Sequence, residues 1–301
     1  MRKDIEFTSK GLKCRGWLYI PDNLAEGDKA PAVVMAHGLS AVKEMFLPNY
    51  AERFCNAGLV TLVFDFRFLG ESEGEPAGQI FPVEQLEDYR NAISCVAHQP
   101  EVNPDRIGAW GSSFSGGHVL HLAAFDRRIK AVVAQVPNIN TWKSFIKLQG
   151  RDGWDMTLGM INTDRASRYQ SDEINYVPVV APEGEVALLS TSDSYEWFTK
   201  TAESIAPNWI NKVTLESVEK MIEYDPTNAI ELISPTPLLM IIAENDSLIP
   251  VEIAREAADR AGEPKEIMIV KCGHFDVYET EPWHSQVASG ATEWFTAHLG
   301  K

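Results

Sequence analysis

The sequence predicts an α/β fold with a mostly parallel central sheet, helices on both of its faces and one inserted segment. Two observations predict the sheet: short apolar, β-branched runs recur along the chain, and helical patterns separate most of them. Nearly continuous apolar runs are typical of strands covered on both faces, and alternation with helices favours parallel pairing. A third observation, a gap of roughly ninety residues between two of the runs, predicts the insertion.

The predicted strands are GWLYI (16–20), APAVVMAHG (30–38), LVTLVFDF (59–66), RIGAWG (106–111), IKAVVAQVP (129–137), TPLLMIIAEND (236–246) and KEIMIVKCG (265–273). Helical patterns follow two of them, in NYAERFCNAG and VEIAREAADRAGEP. Gly58 and Gly262 come after the last helical residues of these two segments. Glycine is the residue expected in a left-handed helix cap, so both are predicted to end a helix in that conformation.

The interval 141–233 interrupts the alternation of strands and helices. Its aromatic residues include Trp142, Trp154, Trp197, Trp209, Tyr169, Tyr176, Tyr195 and Tyr224, and its segment TLESVEKMIEY has the pattern of an amphipathic helix. We therefore expect residues 1–140 and 234–301 to form one core, and residues 141–233 to form an inserted, mainly helical cap. An independent second domain is the alternative that the pattern leaves open.

Composition limits the classes of partner. A net charge of −16 over 301 residues argues against nucleic-acid binding, because no basic stripe is present to replace phosphate counterions. No stretch approaches the ~18 apolar residues of a membrane span, and the first residues lack the apolar core of a signal peptide. We expect a cytoplasmic protein without a membrane partner, acting as a monomer or a homodimer.

The cysteines are Cys14, Cys55, Cys95 and Cys272, and no two of them form a CxxC pair. This spacing argues against a zinc site or a thioredoxin-like redox centre. We expect the four thiols to be reduced and mostly buried.

Three serines lie in GSSFSGG (111–117), at a predicted junction between a strand and a helix. A nucleophilic serine on so tight a turn needs small residues two positions before and two positions after it. Both Ser113 and Ser115 satisfy that rule, but the apolar strand ends at Gly111, which favours Ser113. The alternative is a serine that caps a helix and does no chemistry.

Partners for a nucleophilic serine occur later in the chain. A serine hydroxyl needs an imidazole to take its proton, and the imidazole needs a carboxylate to orient it. Asp246 follows an apolar strand and is the candidate acid, with Glu244 as its competitor. His274 follows the last predicted strand and is the candidate base. The turn at His37 and Gly38 is placed to direct the amide of residue 39 at a developing oxyanion.

The motifs AHGLS, FDFRFLGESEGEP, GSSFSGG, AENDSLIP and GHFDVY, in this order, resemble those of the α/β-hydrolase superfamily. The chain is especially similar to capped serine hydrolases of the dienelactone-hydrolase-like and S15 or S33 peptidase-like groups. This resemblance implies Ser113 as nucleophile, Asp246 as acid, His274 as base, and Leu39 and Phe114 as the oxyanion hole. The sequence departs from the pattern D-x-R-G-x-G-x-S, because Phe68 occupies the place of the first glycine.

The expected function is hydrolysis of a carboxylic ester or a related acyl compound of small size through an acyl-enzyme, without a cofactor or a metal. Cleavage of a thioester, a peptide-terminal amide or a carbon–carbon bond flanked by ketones, and acyl transfer to an alcohol, stay open because the core is shared. A small-molecule receptor on a hydrolase scaffold is the alternative of another class. In the predicted cap, Trp142 and Trp154 are the candidates for contact with substrate.

Overall fold

The computed structural model describes residues 1–300. Its central sheet contains the strands β1 (Arg2–Ser9), β2 (Leu12–Tyr19), β3 (Ala30–Ala36), β4 (Val60–Phe64), β5 (Val102–Ser112) and β6 (Ile129–Gln135), followed much later by β9 (Leu238–Ala243) and β10 (Lys265–Val270). Two short strands, β7 (Tyr176–Val177) and β8 (Val213–Thr214), form a separate ribbon. The order across the main sheet is β1-β2-β4-β3-β5-β6-β9-β10. β2 pairs antiparallel with β1 and with β4, and the pairs from β4 to β10 are parallel.

The helices are α1 (Leu47–Asn56), α2 (Pro82–Ala97), α3 (Phe114–Phe125), α4 (Thr141–Ser171), α5 (Ser192–Ser204), α6 (Leu215–Ile222), α7 (Val251–Arg260), α8 (Asp276–Glu279) and α9 (Trp283–Leu299), with one 3-10 turn at Ile230–Ile233. The predicted fold class, a mostly parallel sheet flanked by helices, is confirmed. None of the helices in residues 1–300 is both long enough and apolar enough to cross a lipid bilayer.

The central strands are apolar because helices cover both of their faces. Every residue of β4 and of β9 is buried, as the continuous runs VTLVF and LLMIIA predict. The first strand, β1, differs: half of the residues in its sequence RKDIEFTS are exposed, and it pairs on one side only, at the edge of the sheet. The sequence analysis did not predict β1, because charged residues at an edge interrupt the apolar signal.

The two glycines predicted to cap helices behave differently. Gly58 follows α1 with a φ of 88°, which is the expected left-handed conformation. Gly262 does not have a positive φ, so that prediction is wrong. After α7 the backbone turns directly into an extended conformation at Ala261 (φ −63°, ψ 138°). A side chain at position 262 would lie 2.9 Å from the Cβ of Ser234, so glycine is needed there for close packing.

The long interval between β6 and β9 carries α4, β7, α5, β8, α6 and the 3-10 turn. The amphipathic pattern in TLESVEKMIEY is confirmed as α6, which buries Val218 and Met221. Helix α4 is divided at Gly150, whose φ of 71° and ψ of −178° are not helical. Residues 141–149 therefore form a separate helical arm, which leads from the sheet to the divided point.

Candidate active site

Ser113 lies on the sharp turn between β5 and α3. Its φ of 55° and ψ of −118° are unusual for a residue with a side chain, and such strain is concentrated at functional turns. The turn is possible because its neighbours are small. A side chain at Gly111 would collide with the backbone of Ser115, and one at Gly116 would lie 2.9 Å from the Cα of Pro137.

His274 and Asp246 lie beside this serine. The loops after β9 and β10 carry them to the carboxyl edge of the sheet, where β5 also ends. The distance from Ser113 Oγ to His274 Nε2 is 3.1 Å, and the distance from His274 Nδ1 to Asp246 Oδ2 is 2.8 Å. The other carboxylate oxygen of Asp246 accepts the backbone N–H groups of Leu248 (2.8 Å) and Ile249 (2.7 Å). With Nδ1–H donating to the carboxylate, Nε2 is left to accept the serine proton.

The competing residues have other partners. Ser115 Oγ donates to the carbonyl of Ala36 at 2.6 Å and accepts the N–H of Ser112 at 3.0 Å, so it ties the turn to β3. Ser112 Oγ hydrogen-bonds to Tyr278 Oη at 2.7 Å. The Glu244 side chain is 39% exposed and lies 3.6 Å from Arg255. Of the candidate serines and acids, the structure brings Ser113 and Asp246 to His274.

Leu39 and Phe114 carry the two backbone amides expected to form an oxyanion hole. The N–H groups of Leu39 and Phe114 donate to no acceptor among residues 1–300, and both residues line one cavity together with Ser113. The loop comes close to the serine because residue 38 is glycine: a Cβ there would lie 3.0 Å from Ser113 Cβ. Phe114 is the first residue of α3, where the helix dipole favours negative charge.

Comparison with known proteins agrees with this architecture. The family profile described as "alpha/beta hydrolase fold" matches residues 31–281. The chain belongs to the alpha/beta hydrolase family.

Among the relatives of this hydrolase, the quorum-quenching protein AidA of Acinetobacter baumannii is 32% identical over 284 residues, covering 94% of this chain and 91% of AidA. The thiohydrolase aneE of Aspergillus aculeatus is 32% identical over 301 residues, covering 96% of this chain and 89% of aneE. The crystal structure of the alpha/beta hydrolase GrgF from Penicillium sp. sh18 superposes with a TM-score of 0.85 at 28% identity, covering 100% of both chains.

Two further histidines near the site are held neutral in the core of the hydrolase. His37 is fully buried, and burial lowers its pKa to about 4, although a hydrogen bond between Nδ1 and the carbonyl of Gly38 opposes this. His118 lies on α3 between Tyr224 and Gln85, with 2.9 Å from each ring nitrogen to its partner. Burial lowers the pKa of His118 to about 3. Each imidazole has a hydrogen-bond partner within the protein, and none of these partners is Ser113.

A buried ammonium group supports the loop that carries Leu39. Lys43 Nζ lies 2.9 Å from Asp65, 2.8 Å from Glu44 and 2.6 Å from Glu71, and the Lys43 backbone N–H donates to Asp65 at 2.7 Å. Within residues 1–300, these three carboxylates are the one cluster close enough to share a metal ion. The ammonium group already supplies the cation that balances their charge.

The cavity above Ser113 is mainly apolar, and it is walled by two parts of the chain. The core contributes Met45, Leu47, Leu248, Ile249, Phe275 and Tyr278, and the segment 141–233 contributes Phe145, Leu148, Trp197, Phe198, Met221 and Ile222, among others. Trp197 stacks on Phe275 with 4.9 Å between the ring centroids. Such walls suit the apolar part of a small organic ligand.

The structure does not bring Trp142 and Trp154 to the cavity walls. Trp142 is 41% exposed, and Trp154 packs against Phe145 with 6.0 Å between ring centroids, beyond the division of α4. The tryptophan that lines the cavity is Trp197, on the buried face of α5. The pair Trp197–Phe198 in an otherwise polar helix is the sequence signal that could have identified it.

Proposed function

We propose that this alpha/beta hydrolase is a serine hydrolase that cleaves an ester or thioester of an apolar acyl group through an acyl-enzyme. The observation that carries the proposal is the continuous chain of contacts from Ser113 through His274 to Asp246, opening into an apolar cavity. The thiohydrolase named among the relatives supports including thioesters beside carboxylic esters.

In the first half-reaction, Ser113 Oγ attacks the carbonyl carbon and its proton passes to His274 Nε2. Asp246 stabilises the imidazolium that forms. The carbonyl oxygen becomes an oxyanion, which accepts hydrogen bonds from the N–H groups of Leu39 and Phe114. The bond to the leaving oxygen or sulfur then breaks, and His274 donates its proton to that atom.

In the second half-reaction, water replaces the leaving group. His274 takes a proton from the water, whose oxygen attacks the acyl carbon, and the new oxyanion occupies the same pair of amides. Collapse of this intermediate returns the proton to Ser113 and releases the acid. The scheme uses only groups of this chain and one water molecule.

Residues 141–233 take the role of a cap in this proposal, on a core made of residues 1–140 and 234–301. Phe145 and Leu148 in the arm of α4, and Trp197 in α5, reach the cavity that Ser113 opens into. A wall from the inserted segment therefore faces the acyl group, while the core holds the reacting atoms. This division predicts that substitutions in residues 141–233 change the relative kcat/KM of different substrates more than they change the rates of acylation and deacylation.

Labelling with a fluorophosphonate probe tests the proposal. The probe reacts with a serine only where a base and an oxyanion hole are assembled, and we expect it on Ser113 in the peptide IGAWGSSFSGGHVLHLAAFD. Ser113→Ala should abolish labelling and lower ester turnover by roughly four orders of magnitude. Ser115→Ala is the matched control and should keep the label.

Two results would contradict the proposal. A probe found on Ser115 in the Ser113→Ala variant would move the nucleophile by two positions along the turn. Ester and thioester turnover no faster in the natural protein than in Ser113→Ala would favour a receptor on a hydrolase scaffold.

A further inference from the structure

A strip of polar side chains interrupts the apolar wall of the cavity. Asn138, Thr141 and Ser144 all line it, at intervals of three residues where the chain enters α4. Positions three apart on a helix share a face, which explains why Thr141 and Ser144 are side by side. Asn138 is 6% exposed and Ser144 is 5% exposed, whereas Thr141 is partly exposed.

The hydroxyl of Ser144 has no partner. Its Oγ is shielded from water and hydrogen-bonds to no group among residues 1–300. The backbone N–H of the same residue is bonded to the carbonyl of Asn140 at 3.1 Å, as in an ordinary helix. A buried hydroxyl without a hydrogen bond is unfavourable, and such groups are usually matched in folded proteins. Because Ser144 lines the cavity, rotation of its side chain about the Cα–Cβ bond would turn the hydroxyl from this shielded position towards a ligand bound there.

The strip begins next to the nucleophile. The backbone N–H of Asn138 donates to the carbonyl of Ser113 at 2.8 Å, so residue 138 is fixed beside the reacting serine. The Asn138 side-chain nitrogen donates to Thr141 Oγ1 at 3.0 Å. This bond uses Thr141 as an acceptor and leaves its O–H to donate, while the amide of Asn138 adds a carbonyl oxygen. The strip therefore offers donors and an acceptor near the scissile bond.

The aromatic wall around Trp197 offers different hydrogen-bonding groups from this strip. Trp197 also has a buried ring N–H without a partner, but its neighbours are the rings of Phe275 and Tyr278. The Tyr278 hydroxyl is already bonded to Ser112, so the one unpaired polar group of these three rings is the N–H of Trp197. A ligand group that both donates and accepts hydrogen bonds is matched by the strip and not by the aromatic wall.

We propose that Asn138, Thr141 and Ser144 form a subsite for a hydroxyl group on the acyl chain, close to the scissile carbonyl. The preferred substrates are then hydroxyacyl esters or thioesters, rather than unsubstituted acyl compounds of equal length. This inference rests on the proposed acyl-enzyme chemistry. An unsubstituted chain would cover the strip and leave its polar atoms unpaired, which is how protein sites reject analogues that lack a hydroxyl.

The test compares two aryl esters with the same leaving group and chain length, one with a 3-hydroxyl group and one without. We expect the natural protein to have a kcat/KM about tenfold higher, or more, for the hydroxy ester. The reason is that losing one matched polar contact changes affinity by a factor of that order. Ser144→Ala and Thr141→Val should each reduce this ratio, and the double variant should bring it close to one. Ser144→Ala removes no protein hydrogen bond, so it should fold normally.

Leu189→Ala is the control variant. Leu189 lines the same cavity with an apolar side chain, so its truncation should lower kcat/KM for both esters and keep their ratio. A ratio of one in the natural protein, with turnover well above that of Ser113→Ala, would overturn the subsite and leave the serine hydrolase intact. A ratio that disappears in Trp197→Phe and persists in Ser144→Ala would also overturn it. Turnover of neither ester above the Ser113→Ala level would refute the hydrolase proposal itself.

Discussion

The cavity has one wall formed by the core and one formed by residues 141–233, and the two are carried by different secondary structure. The core wall is carried by the central sheet, in which every side chain of β9 is buried, and the candidate triad residues follow the ends of β5, β9 and β10. The inserted wall is carried by helices that leave large apolar side chains in water, with Met156 59% exposed and Tyr169 93% exposed. Buried parallel strands hold an attached side chain rigidly in place, whereas surface helices determine the shape of the cavity more than the position of single atoms. Our proposal therefore places the chemistry on the core wall and substrate selection on the inserted wall.

The forces that hold the two regions also differ. In the core, α3 and β5 pack so closely that side chains at two glycines of the turn would collide with backbone. In the inserted segment, α4 is joined to α6 by a charged cluster, in which Arg168 bonds to both Asp164 (2.7 Å) and Glu219 (2.9 Å). Packing of the first kind tolerates little change, whereas ion pairs near the surface contribute modestly and can be exchanged.

The sharpest test of the core is Asp246→Asn. Asparagine keeps an oxygen for the N–H groups of Leu248 and Ile249, so the loop should retain its shape. Its amide would face His274 Nδ1 and favour the tautomer that cannot accept the Ser113 proton. We expect kcat for an aryl ester to fall by about 10⁴-fold with little change in thermal stability. Glu244→Gln, the control, should remain active, and an Asp246→Asn variant within tenfold of the natural kcat would remove Asp246 from the mechanism.

The sequence predicted these two regions unequally. The central strands follow from apolar runs, and the motifs around Ser113, Asp246 and His274 follow from the spacing rules of an elbow and its partners. In the inserted segment, residue type alone indicates the tryptophans as ligand contacts, and Trp142 is exposed. The face that a surface helix turns towards a cavity depends on tertiary features such as the division of α4 at Gly150. A local sequence pattern does not encode that direction.

Another limit of prediction lies in the loop after β4. Phe68 occupies the place of the first glycine in the pattern D-x-R-G-x-G-x-S, so a differently shaped loop is the expectation. The backbone at Phe68 nevertheless has a φ of 71°, in the left-handed region that glycine favours. Its ring fills the space that a side chain at Gly74 would need. The packing of this ring against Gly74 thus accompanies a left-handed backbone at a residue other than glycine, which the motif alone does not predict.

Acid should destabilise the core through its neutral histidines. The pKa of His37 is lowered to about 4 and that of His118 to about 3, both by burial. Below pH 6.5 an unfolded chain binds protons at these residues that the folded chain does not, so stability is full above that pH and falls as pH decreases towards 4. Between pH 7 and pH 5 we expect each histidine to lower the free energy of unfolding by about 2 kcal/mol.

Urea unfolding at the two pH values measures this loss. His118→Gln should be less stable at pH 7 but should lose less on acidification, because one titrating group has been removed. His98→Gln, at an exposed position, is the control and should keep the natural dependence. A free energy of unfolding that does not change between pH 7 and pH 5 would show that the buried imidazoles do not resist protonation.

A smaller effect is expected in the inserted segment from Glu219→Gln. Burial alone would raise the pKa of Glu219, but hydrogen bonds from Arg165 and Lys220 outweigh it and lower the pKa from 4.5 to about 2. The ionised group therefore contributes stability above pH 4.5, and this contribution is lost as pH falls towards 2. At pH 7 we expect Glu219→Gln to lower the free energy of unfolding by about 2 kcal/mol, since a charged hydrogen-bonding group is removed.

Glu216→Gln gives the matched control. Glu216 also pairs with Arg168, at 3.1 Å, but its side chain is 32% exposed, so its loss should cost less than about 1 kcal/mol. Both variants should keep kcat for a short ester, because neither residue lies in the core wall. A fall in kcat as large as that of Asp246→Asn would mean that the two regions are not separable.

The last comparison concerns two glycines of α4. Gly150 has a φ of 71° and a ψ of −178°, and Gly159 lies later in the helix without a positive φ; neither has an atom within 4 Å of an added Cβ. Alanine at 159 should stabilise the helix by up to about 1 kcal/mol through propensity alone. Alanine at 150 meets no clash, but it adopts that backbone conformation only at a strain of about 1–3 kcal/mol. In thermal unfolding, alanine should therefore raise stability at position 159 and lower it at position 150. A stabilising Gly150→Ala would contradict this and would mean that α4 straightens. The arm that lines the cavity would then move, and KM would rise.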